Sequence, residues 1–234
     1  HVVDGYMSAY KKIGYTPLQV LEEIRSSVGH VGPMTYVGRL DPMAEGWFDI
    51  LFNGDMDLKN TLMQKDKTYE VKVLFGASTD TGDVLGKIQK VEIKNIDREL
   101  LEKTIPQFIG KFTWEYPTYS SPMLSRTSNN ADVVREKEIQ IYKLELVDVK
   151  DINSEDLLMR IKSDLDACVM PGDFRIKEIL KLWKKELEEK KVVFSMATIT
   201  VSCSSGTYMR TLAEKIGNAL NVPALALHIK RTSH

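Results

Sequence analysis

Gly38-Arg39-Leu40-Asp41-Pro42-Met43-Ala44-Glu45-Gly46 sets a single carboxylate, Asp41, in a short stretch with a glycine at each end. Aspartate is a preferred helix N-cap and proline suits the first helical position, so Asp41-Pro42 predicts a tight loop-to-helix junction. An ordinary capped helix start accounts for that dipeptide. It leaves the two glycines and the Arg39-Leu40 pair unexplained, so the rest of the chain has to decide what Asp41 is for.

The 234 residues suffice for a substantial core, and 43% hydrophobic with 28% charged residues is ordinary for a water-soluble globular chain. No apolar run approaches the roughly 18 residues of a membrane helix, so no membrane partner is expected. Two cysteines, Cys168 and Cys203, lie far apart, and the four histidines (His1, His30, His228, His234) are scattered. No metal spacing emerges, and a reducing cytoplasmic compartment is expected. A net charge of −1 argues against a generic nucleic-acid coat but leaves room for a local basic face. Lys11-Lys12, Lys65 with Lys67, Arg126 and Lys230-Arg231 are candidates for such a face.

Working outward, residues 16–27 read as a helix with Thr16 as N-cap, Pro17 in the first turn and a stripe of Leu18, Val20, Leu21 and Ile24. Gly29 to Gly38 reads as a loop. Residues 68–75 alternate with period two, as a half-buried strand does, and a turn at 79–83 leads to a short strand over 87–91. A helix is expected over 97–109, a polar loop from Tyr116 to Ala131, and a strand over 139–149. Residues 173–191 form a charged amphipathic helix with Ile176, Ile179, Leu180, Trp183 and Leu187 on one face. A strand over 194–202 follows, then a last helix over roughly 208–220. Helices and strands interleave without regular βαβ punctuation, which predicts an α+β fold with a mixed, largely antiparallel central sheet flanked by helices.

Two further residues carry chemistry. Arg210 falls in the first turn of the last helix, where a cation opposes the helix dipole unless an anion sits close by. Arg210 is then either an exposed arginine at a cost of a few tenths of a kcal/mol or the partner of a buried carboxylate, for which Asp41 is the obvious candidate. Tyr69 opens a strand just after Lys65-Asp66-Lys67-Thr68, either as an amphipathic tyrosine at a sheet edge or as a platform for a nucleobase.

Together these stretches resemble the TruB-type tRNA pseudouridine synthases over most of residues 10–231. The 38–46 stretch is similar to the family's Gly-Thr-Leu-Asp-Pro-x-Ala-Thr-Gly loop. Asp66-Lys67-Thr68-Tyr69 is similar to its Asp-Lys-x-Tyr strand, and Phe75 to Asp83 to its Gly-x-x-Thr-Asp-Thr segment. Gly206-Thr207-Tyr208-Met209-Arg210 matches its Gly-Thr-Tyr-x-Arg motif. The resemblance implies an isomerase of the pseudouridine synthase fold, without metal or cofactor. Asp41 would be the nucleophile, Tyr69 would stack on the target uracil, and Arg210 would pair with the aspartate. Tyr36, Tyr208 and Ile229 would line the uracil pocket, and Lys11, Lys230 and Arg231 would help hold the RNA.

The resemblance also has departures. Tyr36 stands where the family has histidine, and Lys11-Lys12-Ile13-Gly14-Tyr15-Thr16 lacks the family's proline. The segment after Pro117-Thr118-Tyr119-Ser120 is shorter than the family's RNA-gripping loop, and the helix around 173–191 looks like an insertion. With the sequence stopping just after Arg231, a single catalytic domain over residues 1–234 is expected, without the C-terminal PUA-like RNA-binding module of many relatives. The implied function is conversion of a uridine in tRNA, at position 55 of the T-loop, to pseudouridine by a monomer that recognises the T-arm. Two alternatives stay open: a ribosomal-RNA pseudouridine synthase, suggested by Arg39, and an inactive RNA chaperone of the same fold.

Overall fold

The computed structural model describes residues 5–117, 119, 135–168 and 174–234. In chain order the elements are β1 (Gly5–Lys11), α1 (Pro17–Val28), β2 (Met34–Val37), β3 (Ala44–Phe52), α2 (Met56–Met63), β4 (Lys67–Phe75), β5 (Ala77–Thr79) and β6 (Ile88–Val91). They continue with α3 (Arg98–Thr104), a 3-10 turn (Ile105–Phe108), β7 (Gly110–Glu115), β8 (Glu136–Asn153), α4 (Ser154–Asp166), α5 (Phe174–Glu189), β9 (Val193–Cys203), α6 (Met209–Ala219) and β10 (Ala224–Ser233). Among the described residues, eight strands form one sheet in the order β1-β3-β10-β4-β9-β8-β7, with β2 also pairing β3. Only β3 and β10 run parallel; the other pairs of that sheet are antiparallel.

Alternation along the central strands divides two cores. Val71, Val73 and Phe75 of β4, with Ala197, Ile199 and Val201 of β9, face α1, α3 and α6. Leu74, Phe194, Met196, Leu225 and Leu227 point the other way, onto Leu157, Ile161 and Leu165 of α4 and Ile179, Trp183 and Leu187 of α5. The charged helix at 174–189 thus buries the apolar face its periodicity predicts, against α4, which begins where Asn153 caps it through the Asp156 amide. No helix among the described residues is long and apolar enough to cross a membrane.

The structure departs from the sequence expectations in four places. No helix starts at Asp41: a backbone bond from Ala44 N to Asp41 O (2.9 Å) closes a turn, and β3 begins at Ala44. Proline-42 permits a helix, but the aromatic and aliphatic run that follows is claimed on both edges, by β1 along one and by β10 and β2 along the other. Part of the expected 29–38 loop is β2. The helix over 97–109 stops at Thr104 and tightens into the 3-10 turn, because Pro106 has no N–H to continue the ladder. Leu18 is 55% exposed, so α1 packs through Pro17, Val20 and Leu21 instead. Arg126 and most of the 116–131 loop lie outside the described residues.

Candidate active site

The loop between β2 and β3 is built to present Asp41. Leu40, Met43 and Ala44 are buried and anchor it, while the Asp41 side chain keeps 35% of its surface. Gly38 turns the chain with φ +78, and Gly46 has φ +130 where a Cβ would lie 2.2 Å from the Arg231 carbonyl oxygen. The glycines that a helix cap left unexplained are thus two of the places where β10 closes on the 38–46 stretch.

Arg210, the second residue of α6, is 3% exposed. Its Nε donates to Asp41 Oδ2 at 2.8 Å and its Nη1 to the Thr81 carbonyl at 2.8 Å. A cation at a helix N-terminus is unfavourable alone, and here the aspartate compensates it. Asp83 is buried within electrostatic reach of both members of this pair. It accepts from Thr81 Oγ1 (2.8 Å) and the Leu85 amide (3.0 Å), and burial pushes its carboxyl up to about 6 against the pull of Arg210. The Tyr208 ring centroid is 5.8 Å from the Arg210 guanidinium carbon and 6.0 Å, edge to face, from the Tyr116 ring.

Tyr69 sits in the interior of the sheet, 8% exposed, and not at an edge. Its phenol oxygen accepts from Nε (3.2 Å) and Nη2 (3.0 Å) of Arg231. Ile229 is buried on β10 beside Ala44 and Val71, and half-buried Tyr36 packs on the same core.

A family model described as the N-terminal domain of TruB family pseudouridylate synthases matches residues 26–167. The chain belongs to the TruB family. It is 29% identical over 205 residues to the tRNA pseudouridine synthase B of Cupriavidus metallidurans, covering 85% of this chain and 52% of that one. It is 27% identical to the enzyme of the same name from Azoarcus sp. (strain BH72), covering 99% and 65%. The chain therefore spans about half to two thirds of these relatives. In fold it is similar to a solved Cbf5-Nop10-Gar1 complex, with a TM-score of 0.61 and 16% identity over 97% of this chain and 48% of that one. An H/ACA RNP bound to a substrate RNA containing 2'-deoxyuridine gives 0.59 at 14% identity, over 97% and 46%.

In this TruB-family chain the structure brings Asp41 and Arg210 together, with Tyr208 beside them. Of the three cations expected to hold RNA, Lys11 and Arg231 are buried. Lys11 is fully buried, its Nζ donating to the carbonyls of Tyr15 (2.7 Å), Lys12 (3.0 Å) and Pro42 (3.3 Å), and burial lowers it to about 8. Arg231 is 4% exposed and bound to backbone carbonyls and Tyr69. Lys230 lies between them in the β10 alternation, opposite Glu45 and Glu70, and so faces away from the Ile229–Arg231 side of the sheet. Lys67, a further basic candidate, is also buried, donating to the carbonyls of Met63 and Lys65. A lysine or arginine reads alike in sequence whether it is solvated or bound to carbonyls. Asp83 and Thr81 received no role from the sequence, although both lie in the Phe75–Asp83 segment that carried the family pattern.

Proposed function

We propose that this chain isomerises uridine to pseudouridine in tRNA, at position 55 of the T-loop, with Asp41 as nucleophile. The observation that carries the reading is the 2.8 Å bond between the buried Arg210 and the partly exposed Asp41 in a TruB-family chain. Two donors of a fixed guanidinium, one on the carboxylate and one on the Thr81 carbonyl, hold the acid in one orientation while a face of it stays open to substrate. The reaction breaks the N1–C1′ bond, forms C5–C1′, and exchanges the C5 proton for one on N1, so it is redox-neutral. The target base leaves its stack at a cost of a few kcal/mol, which stacking on Tyr69 and contacts with Tyr36, Tyr208 and Ile229 offset.

The test is to incubate the chain with an unmodified tRNA transcript and map pseudouridine at single-nucleotide resolution. One new pseudouridine at position 55 is the expected result. Absence of pseudouridine from the tRNA, or its appearance only in a ribosomal-RNA fragment offered in parallel, contradicts the proposal.

A further inference from the structure

Arg231 holds a buried positive charge whose hydrogen-bond partners are all neutral. Besides its two bonds to the Tyr69 phenol, Nη1 donates to the carbonyls of Gly38 (2.8 Å) and Trp47 (3.4 Å), and Nη2 to that of Arg39 (2.7 Å). None of these partners is a carboxylate, so among the described residues no close ion pair offsets the desolvation of the guanidinium. A residue kept at that cost is expected to organise its surroundings. Its partners have three origins: the Gly38 and Arg39 carbonyls of the loop that leads into Asp41, the Trp47 carbonyl of β3, and the hydroxyl at the end of the Tyr69 ring. Both bracketing glycines meet this same residue. Gly46 gives its backbone room, and a Cβ at Gly38 would stand 3.3 Å from its Nη1. From the other side, Lys11 holds the carbonyl of Pro42.

We infer that Arg231 is a positioning residue that ties the Asp41 loop to the Tyr69 phenol, so that the carboxylate and the aromatic ring keep one fixed spacing. The inference rests on the roles given above to Asp41 and Tyr69. The planar fork is what makes the tie, since five donors in fixed directions reach the carbonyls and the hydroxyl at once. An ammonium at the same place has three donors and spans fewer of them. Arg231 and Tyr69 then act as one unit: removing the phenol oxygen and removing the guanidinium undo the same connection.

The experiment compares Arg231→Gln, Arg231→Lys, Tyr69→Phe and the Arg231→Gln/Tyr69→Phe double variant with wild type. Turnover of tRNA and amide hydrogen exchange across residues 38–46 are the two readouts. Arg231→Gln should lower kcat roughly ten- to hundredfold with KM nearly unchanged, as misplaced reacting groups do. Arg231→Lys should recover part of that loss, and the double variant should lose no more than the worse single one. Exchange in the loop should quicken roughly tenfold, equivalent to about one net hydrogen bond. Independent, multiplying losses in the double variant, or wild-type kcat with unchanged loop exchange, would overturn the inference. If Arg231→Gln does not fold, the Lys variant carries the test by the same two readouts. If wild type turns over no uridine, the proposed function fails, and loop exchange alone still decides whether Arg231 makes the tie.

Discussion

Asp41 depends on its neighbours for orientation but not for its turn, because the bond that closes the turn runs from Ala44 N to the Asp41 backbone carbonyl. Asp41→Asn keeps that bond and still offers an oxygen to Arg210 Nε. It removes the charge, so a stability loss of about 1–3 kcal/mol is expected, measurable by urea unfolding. Unfolding of the variant at room temperature without denaturant would mean that the Asp41 charge is needed to hold the loop. At Tyr69 the ring and the hydroxyl separate. Tyr69→Phe keeps the stacking surface and leaves Arg231 short of an acceptor, whereas Tyr69→Leu removes both. RNA should bind the Phe variant more tightly than the Leu variant by about 1–3 kcal/mol, and equal affinities would remove the stacking role. The partnership of Asp41 with Arg210 was legible in sequence because a cation in the first turn of a helix needs an anion. Burial of Lys11, Lys67 and Arg231 was not, since it depends on carbonyls that only the folded loops bring together.

Between elements, the Asp83–Thr81 turn and α6 share Arg210, and Asp83 makes that junction sensitive to pH. Its carboxyl rises from the ordinary 3.8 to about 6, so the folded chain binds this proton more tightly than the unfolded chain does. The stability that the bound proton contributes is complete below the ordinary value and is lost as pH rises through about 6. Asp83→Asn has no such dependence. The stability of the Asn variant relative to wild type should therefore rise between pH 4 and pH 7, by at most about 3 kcal/mol. A difference that stayed flat across that range in paired unfolding curves would show that Asp83 is ionised throughout. Most elements with strong periodicity were legible: α1, β4, α5, β9 and α6 stand within a residue or two of their expected ranges. The strand after Asp41 was not. Local propensity of Asp-Pro favours a helix, and only pairing with strands far along the chain makes Ala44–Phe52 a strand.

At the scale of the whole molecule, three of the cations singled out in the sequence, Lys11, Lys67 and Arg231, are bound to backbone oxygens and so leave the electrostatic footprint. Of the cations singled out among the described residues, Lys12 is exposed and Lys65 half-buried within 3.7 Å of Asp49. Each phosphate neutralised adds about 0.7–0.9 to the slope of log affinity against log salt, so a slope below about 4 in magnitude is expected. A T-arm hairpin should then be nearly as good a substrate as full-length tRNA. A steep slope with strong preference for the full-length molecule would reveal an extended RNA surface elsewhere on the chain.

The central claim, that Asp41 attacks a uridine held beside Arg210, is tested most directly by tritium release from tRNA labelled at C5 of uridine, under single turnover, with wild type and Asp41→Asn. Forming the C5–C1′ bond sets that tritium free. Wild type should release about one equivalent per tRNA. Asp41→Asn should bind the same tRNA and release none. Release by the Asn variant at a rate near that of wild type would contradict the account.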